Sequence, residues 1–101
     1  MKLRVKESEQ VRAFLGSLAP DSRKRLRSAI HGVAAGERPL EPLTRGLDGY
    51  HKLKLQPWRM VCRYGETPNG PALFLVFAWT RDEVYELFTQ LQAEQIIRSV
   101  S

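Results

Sequence analysis

Apolar positions recur along this chain with two periods, and the change from one to the other divides it into elements. Leu3 and Val5 alternate with Lys2, Arg4 and Lys6. That period of two predicts a short edge strand with charges guarding it. From Ser8 the period lengthens. Val11, Phe14, Leu15 and Leu18 stand at i, i+3, i+4 and i+7 and make one apolar helical stripe. Ala19-Pro20 interrupts it. Pro20 suits the first turn of a second helix, and Asp21 complements the positive end of its dipole. Leu26, Ile30, Val33 and Ala34 form a second stripe, and Gly36 is a natural stop. Two such stripes predict a helical hairpin packed on something apolar.

The stretch 37–49 contains Pro39, Pro42, Gly46 and Gly49 and reads as a connecting loop. Three strands follow. In residues 50–56, His51, Leu53 and Leu55 share one face, and Tyr50, Lys52, Lys54 and Gln56 share the other. Pro57 marks a tight turn. In residues 58–64, Trp58, Met60, Cys62 and Tyr64 share one face, with Arg59, Val61 and Arg63 opposite. The stretch 65–71 holds two glycines and two prolines and reads as a hairpin loop. Residues 72–79 are nearly all apolar, as expected of a central strand covered on both faces. Thr80 and Glu83 form a capping box that opens a last helix, whose buried stripe is Val84, Leu87, Phe88 and Leu91. The predicted order is β-α-α-β-β-β-α. Helices followed by a run of strands indicate an α+β fold, an antiparallel sheet covered on one face by the helical hairpin.

The 101 residues suffice for one domain, spanning 1–101, and are too few for two. The lone cysteine, Cys62, rules out an internal disulfide, and its parity places it in the core. The opening Met-Lys-Leu-Arg-Val lacks the apolar region of a signal peptide, and no apolar run approaches the roughly 18 residues of a membrane span. A cytoplasmic protein is the expectation. His31 and His51 lack ligand spacing, and no cofactor or metal motif is present.

Charge changes the picture most. The net charge is +5, which favours a polyanionic or acidic partner. Strand parity gathers it: if the apolar residues of the first two hairpin strands face the helices, Lys52, Lys54, Arg59 and Arg63 face the other way. No carboxylate occurs among residues 50–64 to offset them. Like charges opposed across a hairpin are unfavourable, so a polyanion-binding face is the expected use, with a solvated polar face of splayed long side chains as the alternative. Arg81 stands at the start of the last helix, where free backbone N–H groups suit phosphate, and Tyr85 lies one turn on. The second helix carries its own basic run, Arg23, Lys24, Arg25 and Arg27, read as a solvated face or as extra phosphate grip.

Three segments together resemble the RelE/ParE toxin superfamily. They are Gly49-Tyr50-His51-Lys52-Leu53-Lys54-Leu55, Trp58-Arg59-Met60-Val61-Cys62-Arg63-Tyr64 and Arg81-Asp82-Glu83-Val84-Tyr85-Glu86. Ser17-Leu18-Ala19-Pro20 followed by Arg23-Lys24-Arg25-Leu26 is similar to the family's helical hairpin. The resemblance implies a microbial RNase-like fold and a type II toxin held by a cognate antitoxin. It implies a ribosome-dependent mRNA endonuclease in which the ribose 2′-hydroxyl attacks the adjacent phosphate. Within that chemistry Lys52 or Lys54 could act as base. Arg59 and Arg81 could stabilise transition-state charge, Tyr85 could stack on a base or supply a proton, and Arg63 could hold phosphate. Arg23, Lys24 and Arg27 are candidate RNA contacts. The chain departs from the pattern at Trp79 and Thr80, where many active members carry a His or an extra Arg. Trp79 is expected in the core, with stacking on a nucleobase as the alternative. A ParE-like gyrase inhibitor and a non-catalytic basic binding module are the competing readings.

Overall fold

The structure is a computed structural model and describes residues 2–43, 47–80 and 88. Seven elements appear in the order β1 (Arg4–Glu7), α1 (Glu9–Ser17), α2 (Pro20–Ala34), β2 (Glu41–Pro42), β3 (Tyr50–Leu55), β4 (Trp58–Thr67) and β5 (Gly70–Trp79). The five strands form one sheet ordered β1-β5-β4-β3-β2. The fold is α+β, with the helical hairpin on one face of the sheet.

Local chemistry explains the helix boundaries. Ser8 caps α1, its hydroxyl accepting the Val11 N–H at 3.1 Å. Pro20 occupies the first turn of α2, and Gly36 follows its end with φ of 78°. The apolar stripes of both helices meet β3, β4 and β5 in one core. Val11, Leu15, Leu26 and Ile30 pack there against Leu53, Met60, Cys62, Leu73 and Leu75.

The structure departs from the sequence pattern in four places. The sheet is antiparallel from β2 through β5, but β1 pairs parallel to β5, with Arg4 opposite Ala72 and Glu7 opposite Leu75. A parallel pair needs a long crossover, and everything between residues 7 and 70 supplies it. The stretch read as a loop before β3 contains the two-residue β2, in which Glu41 faces Lys52. The third hairpin is tighter than its glycines and prolines suggest. β4 runs to Thr67 and β5 restarts at Gly70, and the Thr67 hydroxyl donates to the Gly70 carbonyl at 2.8 Å.

The fourth departure is a β-bulge. Val61 pairs with Phe77 and the next residue, Cys62, pairs with Leu75, so Val76 is the extra residue on β5. Side chains change phase there. Leu73, Leu75 and Ala78 face the helix-side core, whereas Val76 and Phe77 face away from it. The start of α1 satisfies the bulge. The Ser8 hydroxyl donates to the Val76 carbonyl at 2.9 Å. Gln10 donates to the Ala78 carbonyl at 2.7 Å and accepts the Ala78 N–H at 2.8 Å. Backbone groups of β5 beyond the end of its pairing with β1 therefore find side-chain partners.

Among the described residues, no helix is long and apolar enough to cross a membrane. Of the capping box and apolar stripe expected for the last helix, exposed Thr80 and buried Phe88 are described, and the rest lies outside the described residues.

Candidate nucleic-acid interface

The face of the sheet away from the helices has an apolar centre and a cationic margin. At the centre, Val61 is fully buried, with Leu47 and Phe88 against it. Tyr50 meets Phe88 edge to face at a ring separation of 5.0 Å, and Leu43, Val76 and Phe77 pack around them. This small second core covers the outer side of the central strands, as the apolar run 72–79 led one to expect. A side chain such as Val61 cannot be left open at the middle of a sheet without a cost of about 1.5–3 kcal/mol relative to burying it.

The four strand cations lie on this outer face, as their parity requires. Tyr50 is paired with Arg63, Lys52 with Val61 and Lys54 with Arg59 in the β3–β4 register. Their environments differ. Lys54 is exposed, and directly across the hairpin Arg59 is only 6% exposed. Arg59 donates to the Trp58 carbonyl at 2.9 Å and to the Gln56 side-chain oxygen at 3.4 Å, which fixes its guanidinium at the turn. Lys52 is in an ion pair with Glu41 at 3.3 Å. The carboxylate missing from residues 50–64 is thus supplied by β2, and the cations are not all unopposed. Arg63 is exposed and lies over the Phe74 ring at 4.8 Å. Gly65 leaves room for that ring, since a Cβ there would fall 2.8 Å from Phe74 Cε2. Beside Arg63 and Phe74 a cavity of about 790 Å³ opens, lined also by Lys6, Gln10, Tyr50 and Phe77.

The helix cations do not join this surface. α2 packs on the opposite side of the sheet through Leu26, Ile30 and Val33. Arg23, a candidate RNA contact by sequence, is bonded within its own helical hairpin. It donates to the Leu15 and Leu18 carbonyls at 2.9 Å and to the Gly16 carbonyl at 3.3 Å, closing the end of α1. Arg27 pairs with Glu7 at 3.7 Å, and Lys24 is exposed. Arg25 lies over the Trp58 ring at 5.4 Å and donates to the Gln56 carbonyl. The basic run on α2 therefore serves packing and capping as well as solvation.

Two further residues stand apart from the sequence pattern. Tyr64 keeps the parity of Cys62 but is exposed, and its ring meets His51 edge to face at 5.1 Å. Trp79 is 44% exposed rather than in the core, and it is paired with Arg59 in the β4–β5 register. Strict alternation from Leu73 and Leu75 would have pointed it into the helices. The bulge at Val76 turns it outward, and an all-apolar strand carries no signal from which that phase could be read. Cys62 is fully buried, and desolvation pushes its thiol up from 9.0 to about 12. It is inert packing rather than a nucleophile. No group of three His, Cys, Asp or Glu side chains among the described residues could hold a metal ion. Arg81 and Tyr85 lie outside the described residues.

No family model matches the sequence, and no curated protein matches it significantly. Among solved structures, the chain is similar to one in the toxin–antitoxin complex RelBE2 from Mycobacterium tuberculosis. That match has a TM-score of 0.65 at 18% identity and covers 80% of this chain and all of the other. The chain therefore has a RelE-like fold.

Proposed function

We propose that this protein is the toxin of a type II toxin–antitoxin pair and cuts mRNA on the ribosome. The observation that carries the reading is the row formed by exposed Lys54 and turn-anchored Arg59, directly opposed on the outer sheet face. Lys54 is open to solvent there, and Arg59 is held at the turn across from it. The RelE-like fold and the net charge of +5 support the same reading.

In this mechanism Lys54, exposed beside Arg59, takes the proton of a ribose 2′-hydroxyl. The 2′-oxygen forms a bond to the adjacent phosphorus, and the P–O5′ bond breaks. The products are a cyclic 2′,3′-phosphate and a 5′-hydroxyl, the leaving oxygen taking up one proton. Arg59, held in place by its bonds to the Trp58 carbonyl and Gln56, needs little reorganisation to oppose the charge that grows on the phosphorane. Lys52 stays with Glu41 and adds to the field, and Arg63 grips a flanking phosphate. Arg81 and Tyr85 are assigned from the sequence alone, as a second charge-stabilising arginine and as a stacking or proton-donating tyrosine. The partner is an acidic antitoxin peptide that covers the same face.

Controlled expression tests this. The free protein should arrest growth, with translation stopping before supercoiling or replication. Lys54→Ala and Arg81→Ala should each relieve arrest while remaining folded, with cleavage in a translating extract falling by about 10²–10³. Full toxicity in both variants would refute the site assignment. Early loss of supercoiling would identify a gyrase inhibitor on the same fold instead.

A further inference from the structure

We infer that Trp79 is a nucleobase-stacking platform for single-stranded RNA, built into the same row as Lys54 and Arg59. The inference rests on the reading of the outer face as an RNA-binding surface. A lone exposed tryptophan would need no explanation. The position of this one does. Lys54 is paired with Arg59 across β3 and β4, and Arg59 with Trp79 across β4 and β5. The three side chains therefore stand in one line on one face. Neighbouring strands are about 4.8 Å apart, so the line spans about 10 Å from Lys54 to Trp79. Exposed Lys54 offers a cation for phosphate in the same row as an aromatic ring for a base, the pairing that holds single strands without reading their sequence.

The indole reaches that face only because the bulge at Val76 changes the phase of β5. The bulge is held by side chains of Ser8 and Gln10. With Ala78 fully buried on the helix side, Trp79 must point outward. Ser8 and Gln10 are thus positioning residues for the platform. The other tryptophan, Trp58, is buried on the helix side beneath Arg25, so the two indoles report on opposite faces.

The test uses the full chain and a short single-stranded oligoribonucleotide with 2′-O-methyl groups, which 2′-hydroxyl attack cannot cut. Binding should quench the fluorescence of a Trp58→Phe variant, whose remaining indole is Trp79. Trp79→Ala should weaken binding about 5- to 100-fold with an unchanged salt slope, and Trp79→Phe should keep most of the affinity. Lys54→Ala should lower the salt slope by about 1. If Trp79→Ala binds like the parent while Lys54→Ala is weakened, stacking is overturned and the polyanion face stands. If Trp79→Ala keeps its RNA affinity but loses an acidic protein partner, the indole is a protein anchor and stacking is again overturned. If the unaltered protein binds no RNA at any salt, the reading of the face falls and the platform with it.

Discussion

The two faces of the sheet use the same strands for opposite ends. On the helix side, alternate residues of β3, β4 and β5 meet two helices, and the resulting core contains fully or nearly fully buried Leu15, Leu26, Ile30, Met60, Leu73 and Leu75. On the outer side the buried cluster among the described residues is Leu47, Val61 and Phe88, and cations occupy the margin. The comparison separates stability from recognition within single strands. Neighbours such as Leu53 and Lys54, one residue apart, answer to different demands. The face behind the cations supplies the burial that holds the strands together.

Substitutions on each face can break this division. The largest stability loss should come from the helix side. Leu26→Ala should cost about 2–5 kcal/mol in denaturant unfolding, with oligoribonucleotide affinity of the folded protein unchanged. Lys54→Ala should do the reverse, moving stability by less than about 0.5 kcal/mol while weakening binding. Similar stability losses for the two would erase the distinction.

Gln10→Ala tests the link between the faces. It strips partners from the Ala78 N–H and carbonyl, which should cost about 1–3 kcal/mol. Because it loosens the bulge, it should also shift the emission of Trp79 and weaken RNA binding. A destabilised variant with parental emission and affinity would show that the bulge does not position the indole. Arg23→Ala should be destabilising by a similar or smaller amount through the open end of α1, with the salt slope of binding unaltered. A lowered slope would return Arg23 to the phosphate-binding surface.

Val61→Ala measures the outer cluster, where losing two methyl groups should cost roughly 1.6 kcal/mol. The smallest effect concerns Cys62. Its thiol ionises near 9.0 when unfolded and near 12 when folded. The folded pKa is the raised one, so the contribution to stability is whole below about pH 9 and is lost as pH rises toward 12. At pH 9.5 this loss should be roughly 1 kcal/mol or less, and it should vanish in Cys62→Ala when the two proteins' pH profiles are compared.

Much of this was legible in the residue order. The helix stripes, the break at Ala19-Pro20, the stop at Gly36 and the alternation in β3 and β4 could all be read. Apolar and charged residues there largely take turns, Val61 apart, and a two-residue period leaves one choice of face. The same logic placed Lys52, Lys54, Arg59 and Arg63 together. Glu41 was not visible as the partner of Lys52, because a two-residue strand containing a proline has no periodicity. Arg23 was indistinguishable from Lys24 in a basic run until the carbonyls ending α1 were seen beside it.

By itself, then, the sequence determined the two helices before residue 35, the three strands between residues 50 and 79, the parity of the β3–β4 hairpin and the cations on its outer face. Each of those follows from local propensity or short periods. Only the tertiary structure decided the parallel seat of β1, the second core around Val61 and the outward turn of Trp79. Residues 72–79 are apolar on both faces and so have no phase of their own. Hydrogen bonds from Ser8 and Gln10, 68 residues away in the chain, accompany the bulge that sets it.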